Sequence, residues 1–452
     1  MGFKKDFVWG IATAAYQVEG GYNQDGRGLS VWDNFSHTPE IVVDMHNGDT
    51  ACDSYNRYKE DVALMKKIGV KAYRFSISWS RVLPCGTGKV NEKGLEYYDK
   101  LVDELIANGI EPYITLFHWD FPYALYKQGG WLNDKSPEWF AEYTKVVIER
   151  LSDRVKFWIT QNEPQCYIDL GHSKGQHAPG LQLPWNEVLL AGRNSMLAHG
   201  RAVMTIRKYA KQSPIIGYAP CGSVAIPNTN SDEDIEAAVI DMFRPSQKSL
   251  FTISMLVDPV ILGRYPEGAE EIYGEDLPIL TDKQKEIMCQ PLDFLGFNNY
   301  SGHKVYMNSE GEVCRVKKQV GRAQTAMEWD VMPEGIYWGP RLMSERYNLP
   351  FYITENGMAN LDWKAQDGKI YDYQRIDFTS RYLANYRKLA SEGVDLRGYF
   401  HWSLLDNFEW KLGYSRRFGM VYVDFETGER TLKESAYWYN KVISSNGEDL
   451  SL

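Results

Sequence analysis

The stretch Phe157-Trp-Ile-Thr-Gln-Asn-Glu-Pro164 is a short β-branched and aromatic run that ends on a carboxylate and a proline. A second run of the same design, Phe351-Tyr-Ile-Thr-Glu-Asn-Gly357, lies far downstream. Such residues favour buried extended chain, and Pro164 and Gly357 read as the turn residues that stop it. Glu163 and Glu355 therefore stand at the C-terminal edges of two strands. In a parallel α/β barrel that edge is where reactive groups gather. Only the fold can bring the two together.

Six further runs of this kind occur. With these two they give candidate strands at Phe7–Thr13, Ala72–Ile77, Pro112–Phe117, Lys156–Gln161, Ile215–Ala219, Phe294–Asn298, Phe351–Thr354 and Gly398–Trp402. Helical patterns fall between most of them, among them Ser54–Lys67, Lys93–Ala107, Pro137–Leu151, Asn186–Tyr209, Gly335–Arg346, Tyr373–Ser391 and Leu432–Ser445. Strand–helix alternation argues for a parallel sheet with crossover helices, and eight strands suffice to close a barrel. Gln24–Asp49 and Lys304–Asp330 read as long loops placed to wall the mouth. With no Pro/Ser-rich linker or repeat in view, one domain over 1–452 is expected.

The 452 residues carry a formal charge of −10, with 44% hydrophobic and 24% charged residues. Those proportions suit a globular protein, and the missing basic excess argues against nucleic acid. No run is long and apolar enough to span a bilayer. The apolar stretch after Lys4-Lys5 is too short for a signal-peptide core, and Gly10 interrupts it. Six cysteines without paired spacing read as reduced thiols, so a cytoplasmic location is expected. The histidines show no metal spacing such as His-Glu-x-x-His. Gly26-Arg-Gly28 and Gly86-Thr-Gly88 lack the third glycine and the preceding strand of a dinucleotide fingerprint. No metal and no cofactor are expected.

Two carboxylates at one mouth meet the requirement of glycosidic bond cleavage, one as acid and one as nucleophile or base. The surrounding motifs sharpen this. In order they are Phe7-Val-Trp-Gly-Ile-Ala-Thr-Ala-Ala-Tyr-Gln-Val-Glu-Gly20, Tyr73-Arg-Phe-Ser-Ile-Ser-Trp-Ser-Arg81, Leu116-Phe-His-Trp-Asp120, Asn162-Glu-Pro164, His177-Ala-Pro-Gly180, Asp293-Phe-Leu-Gly-Phe-Asn298, Ile353-Thr-Glu-Asn-Gly357 and His401-Trp-Ser-Leu-Leu-Asp-Asn-Phe-Glu-Trp410. As an ordered set spanning nearly the whole chain, they resemble glycoside hydrolase family 1, the β-glucosidases and their relatives.

The resemblance implies a (β/α)8 TIM barrel with long βα loops and hydrolysis of terminal non-reducing β-D-glucosyl residues, β-galactosyl and β-fucosyl residues included, with retained configuration. It implies that Glu163 is the acid/base and Glu355 the nucleophile. An acid must hold its proton near neutral pH, whereas a nucleophile must stay ionised beside a cation and donors. By resemblance Arg74 and Tyr300 play that supporting part, with Asn298. The sugar would meet Gln17, His118, Trp119, Asn162, Trp402, Glu409 and Trp410, amides and carboxylate for hydroxyls and indoles for the C–H face. Asn162 would hold the 2-hydroxyl, and an ionised Glu409 would accept from the 4- and 6-hydroxyls. Trp329 matches a position flanking the leaving group, and Phe418 completes the substrate-contacting set.

Taken singly, each of these residues has a plainer reading: a surface carboxylate, a satisfied core histidine, a packing tryptophan. The motif order favours function. Departures are Gln161 before Asn-Glu-Pro, Gln165 after it where tryptophan is common, Asn299, and His172. Gln165 removes an aromatic wall from the leaving-group side. A 6-phospho-β-glycosidase of the same family is the nearest rival, but it carries serine, lysine and tyrosine where this chain has Glu409, Arg416 and Phe418. A carboxylate repels a phosphate dianion, and phenylalanine has no donor. A non-catalytic sugar-binding barrel would lack one of the two glutamates, and this chain has both.

Overall fold

The computed structural model describes residues 2–452. Eight parallel strands close on themselves: β1 (Val8–Ala12), β2 (Ala72–Ser76), β3 (Glu111–Phe117), β4 (Phe157–Asn162), β5 (Ile215–Ala219), β6 (Phe294–Asn298), β7 (Phe351–Asn356) and β8 (Leu396–Trp402). Closure comes from β8 pairing with β1, from Val8↔Gly398 to Ala12↔Trp402. The strands read as near-continuous apolar runs because both faces are covered, one by the barrel interior and one by helices. Tyr113, Ile159, Phe294, Tyr352 and Phe400 fill that interior beside Ala12, Ala72 and Ala219. Such bulk needs small neighbours: a Cβ at Gly10 would fall 2.3 Å from the Phe400 ring.

The outer ring holds helices at Ser54–Ile68, Glu92–Ala107, Ser136–Leu151, Trp185–Tyr209, Gly335–Tyr347, Tyr373–Ser391 and Glu434–Ser444. Their apolar spacing explains the docking: Leu95, Tyr98, Leu101, Val102 and Leu105 share the buried face of the second at helical period. Four shorter helices, Asp232–Phe243, Ser254–Ile261, Ala269–Tyr273 and Asp282–Met288, fill the β5–β6 crossover.

The parallel ladders lose register near the C-terminal ends. Irregularities fall between Ile159 and Asn162 on β4, and between Ile353 and Glu355 or Asn356 on β7. An irregularity there re-aims the following side chain. Gly357 acts differently from the turn residue expected of it: its φ is not positive, and a Cβ would lie 1.9 Å from the Trp402 carbonyl oxygen. Close approach of β7 to β8, rather than a turn, requires glycine there.

Both expected loops are corrected. Residues 304–330 begin as a hairpin, His303–Met307 with Val313–Arg315, which pairs with Ala225–Pro227; the rest does wall the mouth. Residues 24–49 contain the helix Val31–Ser36, and none of them, among the described residues, borders the central cavity. Trp32 from that helix instead backs Trp410, ring centroids 4.5 Å apart.

The loop after β8 rests on buried charge. Lys433, fully buried, lies 2.6 Å from Asp406 and 2.6 Å from Asp362. Arg417 adds a second pair to Asp406 at 2.8 Å, and Arg375 pairs with Asp362 at 2.7 Å and with Asp372. Removing one partner of a buried pair strands the other charge, at about 3–5 kcal/mol. Lys433→Ala is therefore expected to cost about that much in urea unfolding and to loosen the loop carrying Glu409 and Trp410. A loss below about 1 kcal/mol, the range of exposed pairs, would show that Asp362 and Asp406 do not depend on it.

Candidate active site

At the C-terminal mouth of the barrel opens a cavity of about 1030 Å³. Of the residues singled out in the sequence, His118, Trp119, Glu163, Asn298, Tyr300, Trp329, Glu355, Trp402, Glu409, Trp410 and Phe418 border it. Gln17, Arg74 and Asn162 are buried behind that lining. Gln17 Nε2 donates to the Phe408 carbonyl at 2.9 Å and lies 3.5 Å from Glu409 Oε2. Asn162 Nδ2 lies 3.1 Å from His118 Nε2.

The two glutamates occupy unlike surroundings. Glu355 is the last residue but one of β7, and its carboxylate accepts from Arg74 Nη1 at 2.5 Å and from the Tyr300 hydroxyl at 2.6 Å. Arg74 also donates to the Thr354 carbonyl at 3.1 Å and to Asn162 Oδ1. Glu163, one residue past β4, accepts from Asn298 Nδ2 at 2.9 Å. Thr354 Oγ1 donates to Asn298 Oδ1 at 2.7 Å, which fixes the amide so that its NH₂ faces Glu163. Glu163 has no cation paired with it among the described residues; Glu355 has Arg74.

Electrostatics follow from that asymmetry. Burial, then the charge of Glu355, pushes the Glu163 carboxyl up to about 8, while Asn298 and Cys166 act weakly against the shift. Burial raises Glu355 as well, with Arg74 and Tyr300 opposing. Of the pair, Glu163 has the stronger hold on a proton, because Arg74 bonds its partner and no cation is paired with Glu163 among the described residues. Burial and the Arg74 charge hold His118 well below its ordinary value, so its imidazole is neutral. Glu409 departs from expectation. Burial and the charges of Glu355 and Glu163 push it up to about 8, which favours a protonated carboxyl, able to donate as well as accept, over the ionised acceptor.

Rings frame the cavity. Trp410 packs on Trp119 at 4.4 Å, and His118 stacks on Trp402 at 5.9 Å. Tyr300, Trp329 and Phe418 cluster at 5.2–6.2 Å on another side. Trp119, Glu163 and Trp410 all sit at positive φ (79°, 45° and 51°). Non-glycine residues held there cost about 1–3 kcal/mol each and are kept where the surroundings over-determine them.

Some lining residues carried no assignment from the sequence. His177 borders the cavity against Trp119 at 5.2 Å; its His-Ala-Pro-Gly motif was legible, its role was not. Cys166 and Cys221 flank Glu163, and the three donor atoms lie within 4.8 Å of one another. Position 166 follows Glu163 by one helical turn, a usable signal, but nothing local links it to 221. Gln165 is fully buried and does not border the cavity among the described residues; its Oε1 accepts from the Cys221 backbone N–H at 3.3 Å. The thiols, not residue 165, form that stretch of wall. Gln161 bonds Ser195 through both amide atoms, and Asn299 donates to the Gly335 carbonyl. Both are structural.

A family model described as glycosyl hydrolase family 1 matches residues 1–448. β-Glucosidase A of Thermotoga maritima is 46% identical, the match covering 98% of each chain. β-Glucosidase A of Acetivibrio thermocellus is 45% identical over 98% of this chain and 99% of its own. A solved structure of the Thermotoga maritima β-glucosidase with glucoimidazole superposes with a TM-score of 0.90 at 44% identity over 99% of both chains.

The charge asymmetry is testable without any substrate. By ¹³C NMR of labelled glutamate, the Glu163 carboxyl should titrate near about 8. In Glu355→Gln its midpoint should fall, since a like charge is gone, yet stay above the ordinary carboxyl range, since burial is the larger cause. An unmoved midpoint would mean that Glu163 does not sense Glu355.

Proposed function

Given that the chain belongs to glycosyl hydrolase family 1, we propose that it is a β-glucosidase acting by double displacement, with Glu355 as nucleophile and Glu163 as acid/base. The observation that carries this is the unequal pair. One carboxylate is clamped by Arg74 and Tyr300, while the other keeps a proton and faces Asn298 and two thiols.

In the first step Glu355 attacks the anomeric carbon while Glu163 passes its proton to the departing oxygen. A glycosyl ester of Glu355 forms and the aglycone leaves. Loss of the Glu355 charge on esterification lowers the affinity of Glu163 for a proton, so it next deprotonates a water that attacks the ester. Arg74 and Tyr300 then receive the returning carboxylate. Asn162 is proposed for the 2-hydroxyl, whose hydrogen bond strengthens as positive charge develops on the ring. Gln17 and Glu409 take the 4- and 6-hydroxyls, with Trp402 and Trp410 against the C–H face. Trp329 borders the same space and is assigned to the leaving-group side. The substrate range proposed is β-glucosides with β-galactosides and β-fucosides. Six free cysteines support a reducing compartment, the cytoplasm.

A second reading, hydrolysis of 6-phosphoglycosides, is not favoured. Arg417 is paired with Asp406 at 2.8 Å, and neither it nor Arg416 borders the cavity among the described residues. The residues proposed to face a 6-substituent, Glu409 and apolar Phe418, do border the cavity.

Two experiments check these roles. Glu355→Ala should reduce turnover of every glucoside to background. Glu163→Ala should slow poor leaving groups by about 10²–10⁴-fold, the span of general acid catalysis, yet spare glycosylation from dinitrophenyl β-glucoside. Azide should then restore turnover as β-glucosyl azide; equal and unrescued losses in both variants would reverse the assignment. For specificity, nitrophenyl β-glucoside should exceed its 6-phosphate in kcat/KM by at least about tenfold, the equivalent of one lost hydrogen bond at a buried group. A better phosphorylated substrate would overturn the role given to Glu409.

A further inference from the structure

We propose that Glu163, Cys166 and Cys221 form a binding site for a thiophilic divalent cation, Zn²⁺ or Cd²⁺, whose occupation arrests hydrolysis. The arrest rests on the acid/base role proposed for Glu163; the binding does not.

The two sulfurs stand 3.7 Å apart. Tetrahedral zinc with Zn–S bonds of about 2.3 Å holds two ligand sulfurs about 3.8 Å apart, so the thiols already span one edge of the polyhedron. A Glu163 oxygen completes three donors, all within 4.8 Å of one another. Bond lengths of about 2.0–2.2 Å to oxygen and 2.3 Å to sulfur require only a small side-chain adjustment from there. All three residues border the cavity, which leaves the fourth position to water.

Outer contacts are in place too. Gln165 Oε1 accepts from the Cys221 backbone and lies 3.9 Å from its Sγ, while Asn298 orients Glu163. The backbone N–H of Cys166 donates to the Glu163 carbonyl at 2.9 Å, tying the two ligands into one turn. Such partners steady metal ligands. The donor set selects: two sulfurs and one oxygen suit Zn²⁺ and Cd²⁺, whereas Mg²⁺ and Ca²⁺ demand oxygen cages.

Binding exchanges protons for the cation. The thiol protons of Cys166 and Cys221 and the Glu163 proton pass to solvent, three metal–ligand bonds form, and no electrons move. Glu163 then has no proton for a departing oxygen, and the cation stands in the space that oxygen needs.

The test uses full-length protein stripped with chelator and kept anaerobic. Titration with CdCl₂ or ZnCl₂ should inhibit cleavage of nitrophenyl β-glucoside, saturating at one equivalent and reversed by EDTA, while MgCl₂ and CaCl₂ should not. Cd²⁺ should also raise a thiolate-to-metal ultraviolet band, read without substrate. Cys166→Ser and Cys221→Ser should each lower that band and raise the Cd²⁺ dissociation constant by more than about tenfold, the least that loss of a ligand costs when outer partners already cost as much. Glu163→Gln should weaken Cd²⁺ binding by calorimetry while keeping the band. A band and inhibition unchanged in both serine variants would place the metal elsewhere and overturn the proposal, as would reversal by reductant but not by EDTA. Binding at this site in a protein that cleaves no glucoside would overturn the catalytic reading and leave the metal site standing.

Discussion

Everything at this mouth depends on the Arg74 guanidinium. It is buried in the middle of β2 and reaches the ends of two other strands, donating to Glu355 and to the Thr354 carbonyl on β7 and to Asn162 on β4. Of the carboxyls that border the cavity, Glu163, Glu355 and Glu409 are close enough to repel one another's charge, and Arg74 is the one cation paired with any of these three among the described residues. A buried carboxylate without a partner protonates rather than bear the desolvation cost. One cation among three acids therefore selects which of them ionises. Its contact with Glu355 favours the ionised form there, while burial and like charge favour the protonated forms of Glu163 and Glu409.

The backbone is shaped to the same end. The ladders slip at the tips of β4 and β7, where the side chains that follow are Asn162, Glu163 and Glu355. Glu163, Trp119 and Trp410 are held at positive φ, a cost that the surrounding packing and hydrogen bonds must offset. The loop bearing Glu409 and Trp410 has its own support, since Asp406 beneath it is locked between Lys433 and Arg417. Rigid placement of this kind lets the donors around Glu355 stabilise charge without reorganising as the reaction proceeds.

Much of this was readable along the chain. The barrel strands announce themselves as short apolar runs, and β4 and β7 end on polar residues and a turn signal, so Glu163 and Glu355 could be put at strand tips from local pattern alone. The helices were legible for the same reason, down to the spacing of Leu95, Tyr98, Leu101 and Leu105. The errors fell where a segment's role depends on what lies across from it. Residues 24–49 resemble a mouth loop, yet Trp32 turns inward to back Trp410. Gly357 resembles a turn residue, yet it is glycine because the Trp402 carbonyl comes within 1.9 Å of where a Cβ would be. Gln165 resembles a missing wall and is instead a buried brace for Cys221.

By itself, the sequence determined the period of the eight barrel strands and of the seven outer helices, the barrel those periods compose, and the two carboxylates at its rim. These are local properties, set by side-chain alternation and by the residues that end an extended run. Tertiary structure alone decided which carboxyl Arg74 favours as an anion, that burial and like charge push Glu409 up, and that two thiols distant in sequence meet beside Glu163. Each of these is a sum over groups from separate strands. Coulomb interaction and desolvation depend on distance and burial, and neither quantity exists until the barrel closes.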